Sequence, residues 1–355
     1  MQFGQKIKMW RAANGLSMLD FASMTGIDQG LLSKYEAGKR LPSEKHLQKL
    51  AQAMNKSLTE LRREFLVEKI YHLLENENNP FEILLAAEPR IHYLSSKQVL
   101  QLQALNDDIK VALQKIDTLH EQWKSKKPLK GIQLQKMLEF FDVHYTFDSN
   151  RIEGNTLTLQ ETHLVVNEGI TIGGKSMREH LEAINHKEAI DFVRGMVTGT
   201  EELNKRSLLD IHRLVLKSID NENAGRYRSI GVRISGSEHL PPDALLIPEL
   251  MDDYFEFYHQ NKAVMHPVIL AAEMHERLVS IHPFVDGNGR TARLVMNFVL
   301  LKHGYTIAIL KGDLASRLAY YQALEKVQVK NEPEDFYQLI ISKVEESLKE
   351  HLALV

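Results

Sequence analysis

Within the run His282-Pro-Phe-Val-Asp-Gly-Asn-Gly-Arg-Thr-Ala-Arg293 stand an imidazole, one carboxylate, a glycine-flanked turn and two guanidinium groups. Histidine is the side chain whose ordinary pKa suits it to take a proton near neutrality. Gly287-Asn288-Gly289 can adopt the left-handed turns that aim successive backbone N–H groups at one point, an anion nest. The apolar spacing of Leu294, Val295, Phe298 and Val299 places this turn at the start of a helix. There, unpaired N–H groups and the helix dipole both favour phosphate. Arg290 and Arg293 lie one helical turn apart and extend the same positive field. The stretch reads as a polyphosphate cradle with a base beside it.

The elements that must position this loop are helical. The chain has 355 residues, 43% of them hydrophobic, with only 19 Gly and 10 Pro, a composition that predicts an all-α protein of two or three domains. It contains no Cys, so disulfide and thiolate chemistry are excluded. The first residues show no secretory apolar core, and no apolar run approaches the roughly 20 residues of a membrane span. The expectation is a cytoplasmic protein that makes no membrane contact.

Charge is unevenly spread. Residues 1–63 hold eleven Lys or Arg against five acids, a balance of +6, which leaves −9 for the remainder of a chain whose total is −3. A basic end on an acidic body points to nucleic acid at that end. Turn and cap residues there predict helices over 3–14, within 16–25, over 29–36 from an Asp28 cap, and over 44–54. Apolar residues at Ile7, Leu19, Ala22, Ile27, Leu32, Leu47, Leu50 and Ala51 suggest a small core. With Gly26-Ile27, Leu32-Ser33-Lys34, Glu36-x-Gly38-Lys39-Arg40 and Pro42-Ser43, residues 1–60 resemble an Xre/Cro-type helix-turn-helix domain. The resemblance implies that 29–35 is a recognition helix. Gln29, Ser33 and Lys34 would read base edges, while Lys39, Arg40 and Lys6 would touch phosphate. Gly30 is an unusual residue for such a helix. Half-sites imply a homodimer.

Residues 61–131 read as a helical connector, broken near 76–80 and near Pro89. Val99, Leu102, Leu105, Ile109, Leu113 and Ile116 make an ordinary packing stripe. From 132 to 355 helical periods define a larger domain, interrupted at 225–242, where Val232-Arg-Ile-Ser-Gly-Ser reads as a short hairpin.

Residues 282–293 match the HxFx(D/E)GNGRxxR motif of the Fic family at every defined position, and the likeness runs from about 145 to 348. Proteins of this family usually transfer AMP from ATP to a protein hydroxyl. The resemblance and the chemistry together make His282 the base for a Ser, Thr or Tyr hydroxyl, and Asp286 the holder of a Mg2+ that bridges phosphates. Gly287, Asn288, Gly289, Arg290 and Thr291 would cradle the α- and β-phosphates, and Arg293 would take the γ-phosphate. Phe284 is read as a core anchor for the loop. The segment from Gly225-Arg-Tyr-Arg228 through Leu240-Pro-Pro242 resembles the family's β-hairpin flap, with one apparent inserted residue. Backbone at Gly236, Ser237, Glu238 and His239 would lie over the nucleotide. Tyr320 would meet the adenine and Gln328 would give it a polar contact. Ser149-Asn-Arg-Ile-Glu153-Gly154 matches the family's inhibitory pattern on a helix at about 145–155, with Glu153 set to pair with Arg293. A zinc reading of His275 and His282, seven residues apart with Glu273 and Glu276 nearby, is set aside, because the spacing is not a compact ligand pair and the Fic match already accounts for His282. The function implied is an autoinhibited protein adenylyltransferase with a DNA-binding module. The alternatives are a transcriptional regulator whose Fic core senses nucleotide or removes AMP, and a Fic-type enzyme transferring phosphate or phosphocholine.

Overall fold

The structure, a computed structural model, describes residues 3–87, 105–127, 131–199 and 201–355. The chain divides into two compact units, Met1–Leu85 and Ala86–Val355.

The first unit is built from α1 (Phe3–Ala13), α2 (Met18–Thr25), α3 (Gln29–Glu36), α4 (Glu44–Ala53) and α5 (Leu58–Leu74). Each start is written in a cap. Ser17 and Asp20 form a reciprocal capping box on α2, Asp28 accepts from Leu31 N on α3, and Ser43 accepts from His46 N on α4. Gly26 ends α2 in the left-handed conformation at φ 59°. The core holds Ile7, Phe21, Ile27, Leu32, Leu47 and Leu50, closed by Leu61 and Phe65 of α5. Leu19 was expected in that core but is 65% exposed. The capping box fixes the start of α2 so that Phe21 and Thr25, one turn apart, face inward and Leu19 faces out. Arg11 forks onto Glu36 at 2.6 and 2.9 Å and so ties α1 to the end of α3. Gly30 has a local reason: a Cβ there would lie 3.1 Å from the Asp28 carboxylate that caps the helix.

The second unit comprises α6 (Asp107–Ser125), α7 (Gly131–Ile152), α8 (Leu159–Glu168), α9 (Met177–Thr198), α10 (Lys205–Leu216), α11 (Ile247–Asn261), α12 (Pro267–Ile281), α13 (Asn288–Lys302), α14 (Leu314–Glu325) and α15 (Glu334–Ala353). A single π-turn, Lys326–Lys330, follows α14. Helices α12 and α13 form the centre. Nearly all their residues are buried, from Val268 to Leu278 and from Arg290 to Leu300. Helices α7, α9 and α10 pack on α13, while α11 and α15 pack on α12. The stripe Leu105, Ile109, Leu113 and Ile116 joins this core, and α6 lies along α15. Val99 and Leu102 of that stripe, and Pro89, fall outside the described residues.

The described residues contain no β-strand, and none of their helices is long and apolar enough to cross a membrane. The hairpin expected within 225–242 is therefore not formed. One guanidinium takes the place of a strand ladder. Arg228 donates to Ile230 O at 2.9 Å and to Pro242 O at 2.6 Å, which joins the two legs of the segment at their base. Its Nε reaches His282 O at 2.7 Å and its backbone N reaches Pro283 O at 2.9 Å. Carbonyls that a partner strand would have engaged are satisfied by one side chain.

Candidate active site

Helix α12 terminates at His282, whose backbone is left-handed at φ 51°, ψ 57°, a conformation that costs an L-residue about 1 kcal/mol or more. The loop that follows is held from within. Asn288 Oδ1 accepts from Phe284 N at 3.0 Å and its Nδ2 donates to Phe284 O at 2.9 Å. The side chain of Asn288 is thus engaged in closing the loop, and its backbone N–H is left for an anion. Phe284 is buried as expected, stacked on His212 at 3.6 Å and 7°.

Gly287 caps α13 at φ 79°, and no side chain caps the first turn. The helix N-terminus at Asn288, Gly289 and Arg290 is therefore open to an acceptor from outside. Gly287 is needed twice over, for its positive φ and because a Cβ would lie 3.3 Å from His212 Nε2.

Both arginines of the motif are buried, Arg290 at 2% and Arg293 at 1% exposure. Buried guanidinium donors are ordinarily all paired, yet Nε and Nη1 of Arg290 and Nη1 of Arg293 have no hydrogen-bond partner. Arg290 faces Asp286 at 3.4 Å and Glu182 at 3.5 Å, distances at which an ion pair is loose. Arg293 is gripped by the end of α7. It donates from Nε to Ser149 Oγ at 3.0 Å, and from Nη2 to Ser149 O at 2.9 Å and Glu153 Oε1 at 2.7 Å. Burial alone would lower the Arg293 pKa, but the Glu153 carboxylate outweighs it and the pKa rises. The same carboxylate stands over the nest, where a Cβ on Gly289 would lie 2.5 Å from Glu153 Oε1. Thr291 is fully buried, and its N donates to Gly287 O at 3.0 Å.

His282 Nδ1 lies 3.3 Å from Val279 O. A carbonyl only accepts, so Nδ1 carries the hydrogen and Nε2 keeps its lone pair. Burial pulls the imidazole pKa down to about 4, with the Val279 contact opposing, and the ring is neutral at pH 7. Asp286 Oδ1 accepts from Gly287 N at 2.6 Å, and Oδ2 receives Arg178 Nη2 at 2.8 Å. Burial would raise the Asp286 pKa, but Arg290, the Gly287 N–H and Arg178 prevail and lower it, so the carboxylate is ionised. The described residues contain no group of three or more His, Cys, Asp or Glu placed to hold a metal ion. One ionised carboxylate suits Mg2+, which takes most of its ligands from water and phosphate.

At the flap, Gly236 turns the chain at φ 80° and Ser237 N donates to Ile234 O at 3.3 Å. Glu238 N donates to Glu325 Oε1 at 3.2 Å, and His239 Nε2 lies 2.9 Å from Ser280 O. Tyr320, assigned to the base, is a packed core ring. It is buried, and its hydroxyl lies 3.1 Å from His275 Nε2, which leaves no open face for stacking in this arrangement. The aromatic at that surface is Tyr321, 45% exposed, whose hydroxyl donates to Ile152 O at 3.2 Å. Gln328, on the π-turn, donates from Nε2 to Ser280 Oγ at 3.0 Å, and Ser280 in turn donates to Glu276 at 2.5 Å.

Four site residues escaped the sequence reading. His212 Nδ1 accepts from Gly225 N at 2.9 Å and its Nε2 donates to Asp286 O at 2.9 Å, so one imidazole joins α10, the flap root and the loop. Arg228, Arg178 and Glu182 are the others. Only the apolar setting of His212 in Ile211-His212-Arg-Leu-Val215 gave a signal, and that setting reads equally as a core position.

In the first unit, Gln29, Ser33, Lys34, Lys39 and Arg40 are all exposed, on α3 and the turn after it. Lys6 is instead engaged by Glu64 at 3.2 Å.

Residues 202–300 match the Fic/DOC family model, and residues 7–61 match the Helix-turn-helix model. The protein named protein adenylyltransferase Fic from Nematostella vectensis is 34% identical over 201 residues, which cover 56% of this chain and 46% of that protein. Its namesake from Drosophila virilis is 33% identical over 211 residues, 59% of this chain and 42% of that protein. The chain thus spans less than half the length of these relatives. The solved structure of Fic-1, residues 134–508, from C. elegans superposes with a TM-score of 0.64 at 24% identity over 98% of each chain, a likeness of fold. A Fic-domain-containing signaling protein from Bacteroides thetaiotaomicron gives a TM-score of 0.57 at 28% identity, over 67% of this chain and 91% of that one.

Proposed function

We propose that this chain, a fusion of a helix-turn-helix domain with a domain of the Fic/DOC family, is a protein adenylyltransferase held in an inhibited state by its own Glu153. One observation carries the reading: two buried guanidinium groups with unpartnered N–H bonds at an uncapped helix N-terminus, beside a neutral imidazole. Unpaired buried donors call for an anion, and their number and spacing suit several phosphate groups in a row. The activity in the names of the related proteins agrees with this chemistry.

In the reaction, a hydroxyl oxygen of the target protein bonds to the α-phosphorus of ATP as the bond from that phosphorus to the β-phosphate bridging oxygen breaks. The hydroxyl proton passes to His282 Nε2 and pyrophosphate leaves. The N–H groups at the start of α13 and Arg290 hold the α- and β-phosphates and offset the charge that builds on the leaving group. Asp286 is the residue to hold Mg2+, which would supply further positive charge at the pyrophosphate. Thr291 supports the helix start from beneath. Backbone at Gly236, Ser237, Glu238 and His239 covers the nucleotide, and Tyr321 and Gln328 form the wall at its base, with Tyr320 packed behind them.

Glu153 takes the place on Arg293 that a γ-phosphate would occupy, and Ser149 fixes the guanidinium for it. Separating the pair leaves the buried Arg293 guanidinium uncompensated, a cost that the 32% exposed Glu153 side chain holds below the roughly 3–5 kcal/mol of a fully buried pair, and this keeps ATP from settling with its α-phosphate in line. Mass spectrometry of the full chain incubated with ATP and Mg2+ tests the proposal. Glu153→Gly should gain an adenylyl group on itself or on added protein at least tenfold faster than wild type, and adding His282→Ala should abolish the gain. Equal labelling of wild type and Glu153→Gly would sink the brake, and bound nucleotide with no covalent product in either would favour the sensor reading.

For the first unit we propose DNA as partner, with Gln29, Ser33 and Lys34 toward the bases and Lys39 and Arg40 on phosphate. Lys6 is withdrawn from that set because Glu64 holds it.

A further inference from the structure

The Asp286 carboxylate has one oxygen turned inward, occupied by Gly287 N at 2.6 Å and approached by Arg290 at 3.4 Å. Its other oxygen, Oδ2, carries a guanidinium, Arg178 Nη2 at 2.8 Å. This is the oxygen a metal ion would need. Arg178 stands in the first turn of α9, where its Nε donates to Glu182 Oε1 at 3.1 Å. Glu182 is itself buried and tied to the inhibitory segment, since Asn155 Nδ2 donates to its Oε2 at 3.0 Å and also reaches Glu179 O at 3.0 Å. Asn155 stands two residues beyond Glu153, so one short segment fixes both the carboxylate on Arg293 and the frame that aims Arg178 at Asp286.

We infer that Arg178 occupies the place of the divalent cation at Asp286 in the inhibited state and must be displaced before a metal ion can bind. The inference rests on the reading of Asp286 as the metal's protein ligand. A guanidinium on Oδ2 competes with a metal ion for that oxygen. Its N–H takes one lone pair of that oxygen, and its charge repels a second cation at contact distance. The arginine side chain is 58% exposed while Asp286 is 43% exposed, so Arg178 has room to swing into solvent and keep its hold on Glu182. An exposed ion pair of this kind shifts an equilibrium by a few-fold, not by orders of magnitude. Arg178 is thus a positioning residue that sets how much metal the site demands.

The test uses the full chain carrying Glu153→Gly, which frees Arg293, and α,β-methylene-ATP, which cannot react at the α-phosphorus. Nucleotide binding is followed by calorimetry while Mg2+ is titrated. Arg178→Ala should lower the half-saturating Mg2+ concentration about two- to fivefold and leave nucleotide affinity at saturating Mg2+ unchanged. Arg178→Lys, a cation without the fork, should fall between. Weaker nucleotide binding at saturating Mg2+ would make Arg178 a phosphate ligand instead, and an unchanged Mg2+ midpoint would make it a bystander. Either result overturns the inference. Asp286→Ala separates the failures. If the parent binds nucleotide and Asp286→Ala keeps the same Mg2+ midpoint, the metal reading of Asp286 falls and this inference with it. If the parent binds no nucleotide at all, the nucleotide reading of the whole site has failed.

Discussion

His212 and His282 stand beside the loop that leads into α13 and are both held neutral by burial, each at about 4. They differ in what they hold. His282 keeps a bare Nε2, whereas both nitrogens of His212 are spent, one accepting from Gly225 N and one donating to Asp286 O. In the unfolded chain each histidine titrates near its ordinary 6.5, so acidification loads protons on the unfolded state first. Stability is therefore complete above pH 6.5 and falls as pH drops toward 4. A single buried histidine shifted this far contributes on the order of 3 kcal/mol over that window. His212→Phe keeps a ring against Phe284 but cannot titrate. Urea unfolding at several pH values should show a shallower loss of stability between pH 6.5 and 4 for this variant, by about one proton in the slope. Parallel slopes would mean that His212 is protonated in the fold. At this scale the sequence was readable where residue types fall at a fixed spacing: Arg290 and Arg293 lie in the first turns of α13 and Glu153 meets Arg293, whereas Tyr320 is a core ring. The sequence was silent on Arg178 and His212, which act through contacts made 108 and 74 residues away in the chain.

The flap shows the limit of pattern reading for elements. Val232-Arg-Ile-Ser alternates as a strand does, yet a strand needs a ladder, and Arg228 supplies its hydrogen bonds from a side chain instead. No local pattern announces that one buried arginine will serve Ile230, Pro242 and His282 together. Arg228→Ala should leave these carbonyls without a donor, each at about 1–3 kcal/mol where water does not replace it. Hydrogen exchange in residues 230–242 should then speed up at least tenfold, with α12 and α13 unchanged. Protection that persists in the variant would show that the contacts of Glu238 and His239 with Glu325 and Ser280 suffice to hold the flap. The helices were far more legible. Asp28 before Gln29 and Ser43 before Glu44 mark starts that the structure repeats to the residue, because a cap is a local bond between neighbours. Leu19 misled because apolar type alone does not say which face of an eight-residue helix turns inward.

For the molecule as a whole, charge is separated more sharply within the first unit than between the two. Residues 1–63 carry +6, but residues 64–85 of the same unit hold five acids against Lys69, so the unit Met1–Leu85 is +2 and Ala86–Val355 is −5. The basic surplus lies in residues 1–63, so nucleic-acid affinity is expected from that segment and is expected to fall with salt. The exposed set divides by position: Lys39 and Arg40 follow α3, while Gln29 and Ser33 lie on α3 itself. Removing two phosphate contacts should lower the slope of log affinity against log salt by roughly 0.9 for each. For Lys39→Ala with Arg40→Ala in the full chain that is a fall of about 1.8 in the slope on duplex DNA, with no change in which sequences are preferred. Gln29→Ala with Ser33→Ala should leave the slope alone and flatten the preference among sequences. Fluorescence anisotropy on a random-duplex pool, followed by sequencing of the bound fraction, reads both quantities. A slope that stays fixed on loss of Lys39 and Arg40 would remove phosphate as their partner. A full chain with no salt-dependent affinity for any duplex would remove DNA as the first unit's partner.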